Sequence, residues 1–234
     1  MNTAAVVLIV YGVCAGVDSY AAGHGKRRFL KPVLMPLLSL YYVLAMHPAF
    51  AGAVSAASAA RSGNPLYHVT VVIALLCGWA GDCFLLGKRE FCFPAGLLAF
   101  LAGHLVYLYT FIMDAVRRPY AAGRPWNVVI VMAIGIAGYS WLIRTVKKKL
   151  IESVPEKLRG AFFAYVTVIA LMSFAALCRL AFLGGFTALA WIGSLLFIVS
   201  DLILAYQTFC GRSGKGIMET YALAQALIIL GMMM

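Results

Sequence analysis

The chain has 234 residues, of which 64% are apolar and 12% charged, and 19 Lys and Arg against 8 Asp and Glu give a formal net charge of +11. A soluble domain carries about 25% charged residues, and mean hydropathy here is +0.94, so a water-soluble globule is excluded. Eight spans of about 20 residues fill most of this length and leave too little for a separate soluble domain, so residues 1–234 read as one integral membrane domain, an all-α, polytopic eight-transmembrane-helix bundle.

Apolar runs closed by charge, Gly or Pro predict helices over 3–21, 32–50, 66–87, 92–114, 126–146, 160–180, 187–209 and 216–234. The first run has no basic residue before it, and Lys26, Arg27 and Arg28 follow it, so it reads as a retained span and not a cleaved signal. Asp18 lies near its end, where a carboxylate can snorkel. Lys31 opens the second span just before Pro32, where it either marks the interface or holds a phosphate. Residues 51–64 (AGAVSAASAARSGN) are small and polar and suit a helix extension or a loop.

The third span carries Asp82 in CGWAGDCFLLG. The fourth sets Phe93, Gly96, Phe100, His104, Tyr107 and Phe111 at steps of three and four, which turns His104 and Tyr107 toward one neighbour. Trp126 suits an interfacial anchor at the start of the fifth. The seventh span carries Asp201 in GSLLFIVSDLILA, and the eighth opens with Glu219, Tyr221 and Gln225, the last two on one face. Glu90, Asp114, Glu152 and Glu156 fall in loops or at span ends and read as solvated charge. Gly78, Gly81 and Gly193 let helices approach closely near the aspartates.

Fourteen of the 19 cations lie in or beside the odd-numbered connections, whereas the even ones hold Arg61, Arg117, Arg118, Arg124 and Arg179. By the positive-inside rule the odd connections face the cytoplasm and both termini face the other side. Cations so placed form no recognition helix, so nucleic acid is not an expected partner. Cys14, Cys77, Cys83, Cys92, Cys178 and Cys210 are scattered, with no CxxC pair, and read as packing residues.

An Asp at the centre of a span costs about 2.5–3.5 kcal/mol on insertion scales, so it faces a bundle interior or cavity. Asp82 and Asp201 both have apolar residues on either side, and their spans run in the same direction with the acids at similar depth. The two carboxylates can therefore meet. In a low-dielectric pocket such a pair repels, so that one keeps its proton while the other ionises. An acid-base pair of this kind can protonate a substrate atom, stabilise an oxocarbenium-like cation and direct water at it, which suits an acid-labile ether or acetal. The plainer alternative is that each carboxylate only hydrogen-bonds a neighbouring helix.

The strings GDCFLL (81–86), FPAGLLAFLAGHLVYLYTF (93–111), GSLLFIVSDLILAYQTF (193–209) and YALAQALIILG (221–231) together resemble the YhhN family, which includes the membrane lysoplasmalogenases. The chain departs from it in having Tyr221-Ala222 where paired tyrosines are expected. The resemblance implies hydrolysis of the vinyl ether bond of lysoplasmalogens, releasing a fatty aldehyde and a glycerophospho-headgroup. On that basis Asp82 and Asp201 are the expected catalytic residues. Lys31, His104, Tyr107, Tyr221 and Gln225 are expected to bind or orient. The expected partners are a lysophospholipid substrate and membrane lipids; no metal, organic cofactor or obligate protein partner is required.

Rival readings fit less well. An intramembrane aspartyl protease pattern needs Gly where Trp79 stands, and a zinc-dependent amidase needs several histidines, whereas His24, His47, His68 and His104 are dispersed. A proton-coupled transporter or lipid-binding protein would use the same aspartates as relay sites.

Overall fold

The computed structural model describes residues 3–24, 30–46, 65–117, 125–211 and 213–233. Eight α-helices occur among the described residues: α1 Thr3–Gly23, α2 Lys31–Met46, α3 Pro65–Leu85, α4 Cys92–Arg117, α5 Pro125–Leu150, α6 Glu156–Leu183, α7 Ala188–Cys210 and α8 Ile217–Met233, with a 3-10 turn, Gly185–Thr187, leading into α7. The expected segment 51–64 lies outside the described residues, as do His47 and the side chain of Trp126.

Helices α4, α5 and α6 run past the ends expected for them, because a charge closes the hydrocarbon segment without closing the helix. Lys147, Lys148 and Lys149 form the last turn of α5, and Lys is a good helix former.

Six helices, all but α2 and α8, are long and apolar enough to cross a membrane. The other two, with 16 and 17 described residues, are shorter apolar helices. Each buries one face against its neighbours. In α8 the residues Met218, Tyr221, Ala224, Gln225, Ile228 and Met232 are buried on one face, while Leu223 on the other is exposed.

The closest pairings are α3 with α4 and α7 with α8, while α4 and α7 both pack on α6, and α8 also touches α1 and α2. Gly193 makes the α7–α8 approach possible, since a Cβ there would stand 2.7 Å from the Ala224 carbonyl oxygen. The core joins Leu34, Leu38, Val71, Leu75, Met172, Phe197, Ile228 and Met232. Outward faces carry large apolar side chains such as Val13, Leu98, Ile134 and Trp141. In water these would be a liability; on spans of this length they are the lipid-facing surface of an integral multi-pass membrane protein.

Candidate functional site

Asp82 lies one turn before the end of α3 and is fully buried. Lys31 Nζ, from the first residue of α2, stands 3.1 Å from Asp82 Oδ1, and the Tyr221 hydroxyl of α8 donates to Asp82 Oδ2 at 2.8 Å. The same ammonium lies 5.8 Å from the Tyr221 ring centroid, within cation–π range. The Lys31 backbone N–H donates to Asp18 Oδ1 of α1 at 3.2 Å. One turn further along α8, Gln225 Oε1 accepts from the Tyr107 hydroxyl of α4 at 2.9 Å. Gly78 opens the space between these groups: a Cβ there would stand 3.5 Å from both Gln225 Nε2 and the Tyr221 hydroxyl. The Tyr11 hydroxyl donates to the Ala222 carbonyl at 2.7 Å and ties α1 to α8.

Asp201, in α7, has a different set of partners. The Tyr165 hydroxyl of α6 donates to Asp201 Oδ2, and His104 Nε2 of α4 lies 3.0 Å from that hydroxyl and 3.6 Å from Asp201 Oδ2. Because the Tyr165 proton is committed to the carboxylate, His104 must donate through Nε2–H. The buried His104 Nδ1 has no partner among the described residues.

The two networks adjoin through aromatic rings. Phe197 stands edge-on to His104 at 4.7 Å and to Tyr221 at 5.4 Å, and Phe100 meets Tyr221 at 6.0 Å. The two carboxylates differ in access. The Asp82 side chain is 0% exposed, whereas the Asp201 side chain is 17% exposed. Asp201 and Tyr165 line a narrow apolar cleft, about 30 Å³ in volume, walled by Leu85, Phe93, Phe100, Phe162, Thr208 and Phe209. A second cleft reaches Asp201 and Tyr165 past Leu142, Ile169 and Ile198.

Each site residue expected from the sequence falls in one of these networks. Lys31, Asp82, Tyr107, Tyr221 and Gln225 gather in the first, His104 and Asp201 in the second. Among the described residues no hydrogen bond joins the two aspartates. His104 and Tyr107 were expected to share a neighbour, yet they reach different ones, Tyr165 and Gln225. A step of three residues leaves side chains about 60° apart around the helix, enough to divide them between α6 and α8. Lys31 neither marks the interface nor faces outward, since it is 6% exposed and its ammonium is engaged by Asp82.

Three other expectations are corrected by burial. Asp18 does not snorkel but is 1% exposed. Asp114 is not solvated, and Arg179 is not a loop cation. Both are buried, with Arg179 Nε 2.6 Å from Asp114 Oδ2 and its Nη1 donating to the Gly231 carbonyl at 3.0 Å. Tyr165 is the site residue that sequence reasoning missed. Its one available signal is a stripe, Tyr165, Ile169, Met172, Ala176 and Arg179, spaced to lie on one face of α6 and buried throughout. Among the described residues no group of three His, Cys, Asp or Glu side chains is placed to hold a metal ion.

Comparison with known proteins gives a family. Residues 26–232 match the YhhN family. The chain is 33% identical over 171 residues to lysoplasmalogenase TMEM86A of Bos taurus, 32% over 167 residues to lysoplasmalogenase TMEM86B of Sus scrofa, and 31% over 171 residues to lysoplasmalogenase TMEM86A of Homo sapiens. These alignments cover 68%, 70% and 68% of this chain, and the chain spans 63% of the length of each relative. No solved structure matches it. The chain belongs to the YhhN family.

Proposed function

We propose that this member of the YhhN family is a lysoplasmalogenase, an ether hydrolase that cleaves the vinyl ether bond of a lysoplasmalogen to a fatty aldehyde and a glycerophospho-headgroup. The observation that carries the proposal is a single carboxyl group, Asp201, presented to an apolar cleft while hydrogen-bonded to Tyr165 and faced by His104. Walls of Phe and Leu suit the chemistry of an aliphatic chain, and the acid at their edge would face the one part of that chain that can accept a proton.

In this reading Asp201 delivers its proton to the alkenyl carbon remote from the ether oxygen. The positive charge then spreads over the adjoining carbon and the oxygen. Water adds to that carbon and gives up a proton to carboxylate, and the resulting hemiacetal breaks its C–O bond to release aldehyde and the glycerol hydroxyl. Overall one water is consumed, and the protonated and ionised carboxyl groups are restored. Tyr165 and His104 orient the acid. Asp82, with its charge balanced by Lys31 and its position fixed by Tyr221, whose ring meets Phe100 and Phe197, supplies the second carboxylate for the cation and the attacking water. Preorganised charge of this kind acts strongly where water is sparse.

The cleft runs from Asp201 toward Thr208 and Phe209, the end of the bundle where Lys88, Arg89 and Lys215 are found. The phosphate headgroup would rest at that basic interface, which the cation count assigns to the cytoplasm, and the tail would lie among the aromatic walls.

The test is to give purified protein lysoplasmenyl and matched lysoacyl lipids and score aldehyde against fatty acid. Aldehyde from the first alone is the expected result; Asp82→Asn and Asp201→Asn both turning over at the wild-type rate would remove the mechanism. In a transporter or lipid carrier using the same acids, liposome flux would occur with no aldehyde.

A further inference from the structure

We infer that Asp18 is a positioning residue for Asp82, acting through Lys31; the inference rests on the reading of Asp82 as part of the catalytic pair. Asp18 lies on α1, outside the residues that chemistry at Asp82 and Asp201 requires, yet it is 1% exposed in a helix whose surface is mostly lipid-facing. A buried carboxylate in a bilayer is costly unless partnered. Its Oδ1 accepts the backbone N–H of Lys31, the first residue of α2. That N–H is one of the donors a helix start leaves without an intrahelical acceptor, and the helix dipole favours an acid there. The bond pins the Lys31 backbone at the point from which its side chain reaches Asp82 Oδ1 at 3.1 Å.

Charge makes the coupling more than a cap. Lys31 links the two acids, its backbone N–H on Asp18 and its ammonium on Asp82. Asp18 Oδ2 is buried and has no hydrogen-bond partner among the described residues. A plain cap needs only an acceptor at Oδ1, and nothing about it calls for a charged group sealed beside a second carboxylate. The arrangement instead lets α1 set the place of the ammonium and, through it, the field at Asp82.

Asp18→Asn separates the two roles, since the amide keeps an oxygen for the Lys31 N–H while losing the charge. Expected is a fall in kcat of about 10- to 100-fold, because a neutral amide holds the Lys31 N–H less firmly than a carboxylate and the ammonium shifts slightly next to the reacting centre. KM for lysoplasmenyl lipid should stay within about twofold of wild type because Asp18 does not touch the lipid. In a Lys31→Met background the same substitution should add little, because the route from Asp18 to Asp82 is already cut. Wild-type kcat in Asp18→Asn, or losses that multiply in the double variant, would overturn the inference. If the wild-type protein releases no aldehyde, the reading of the reaction fails separately. Thermal unfolding of the four chains in detergent then decides, with non-additive shifts supporting the Asp18–Lys31 coupling and additive shifts overturning it.

Discussion

The bundle buries charge at two places along α4, and they are built to different ends. About 15 Å along the helix from His104, Asp114 meets Arg179, whose guanidinium also bonds the Gly231 carbonyl, and Arg179 is 0% exposed. At His104 itself the partners are Tyr165 and Asp201, and the carboxylate there opens onto an apolar cleft. The first arrangement is closed and ties α4, α6 and α8 together. The second is left open on one side. Burial and pairing alone therefore do not distinguish a reactive acid; in the proposed reading it is the open side that marks Asp201 as the proton donor.

Substitutions should separate the two regions by what they damage. The largest effect is expected for Asp201→Asn, which removes a transferable proton and should lower aldehyde release by about 10²- to 10⁴-fold while leaving thermal unfolding close to wild type. An Asp201→Asn chain that unfolds early yet keeps its turnover would reverse the assignment of the two regions. Arg179→Met should do the opposite. Stranding Asp114 in the interior costs about 3–5 kcal/mol, seen as a lowered unfolding temperature, whereas the molecules that remain folded should keep their turnover. Replacing Asp114 and Arg179 together by apolar residues should recover much of that loss.

Smaller changes sharpen the picture within the site. Tyr165→Phe deletes a hydrogen bond to a carboxylate, worth about 1.5–3 kcal/mol, and kcat is expected to fall about 10- to 100-fold. An unaltered kcat would reduce Tyr165 to packing. Tyr107→Phe removes a bond between uncharged groups, from the hydroxyl to Gln225 Oε1. Its cost of about 0.5–1.5 kcal/mol corresponds to no more than about a 10-fold change in turnover. A loss from Tyr107→Phe as large as that from Asp201→Asn would move the reacting centre toward Gln225 and away from the cleft.

Much of this was legible before any coordinates. Apolar runs locate eight helices, and the depth of Asp82 and Asp201 within their runs marks them as residues needing a reason to be there. What composition could not supply was partnership. Asp18, Asp114 and Arg179 sit near the ends of their apolar runs, where solvation is the ordinary outcome, and only their burial reveals otherwise. Tyr165 sits among apolar residues in a long helix, indistinguishable there from a packing aromatic. Lys31 lies 51 positions from the acid it neutralises.

The sequence by itself determined which segments leave water and how far along each helix every polar group stands, because hydrophobic run length and rise per residue are properties of one chain segment. Tertiary structure decided which way each helix is turned, and so whether Asp82 finds Lys31, Asp201 finds Tyr165, and which carboxylate faces the cleft. Rotation of a helix about its axis is set by packing against its neighbours, through close approaches such as Gly193 on Ala224, and that information lies between segments and not within any one of them.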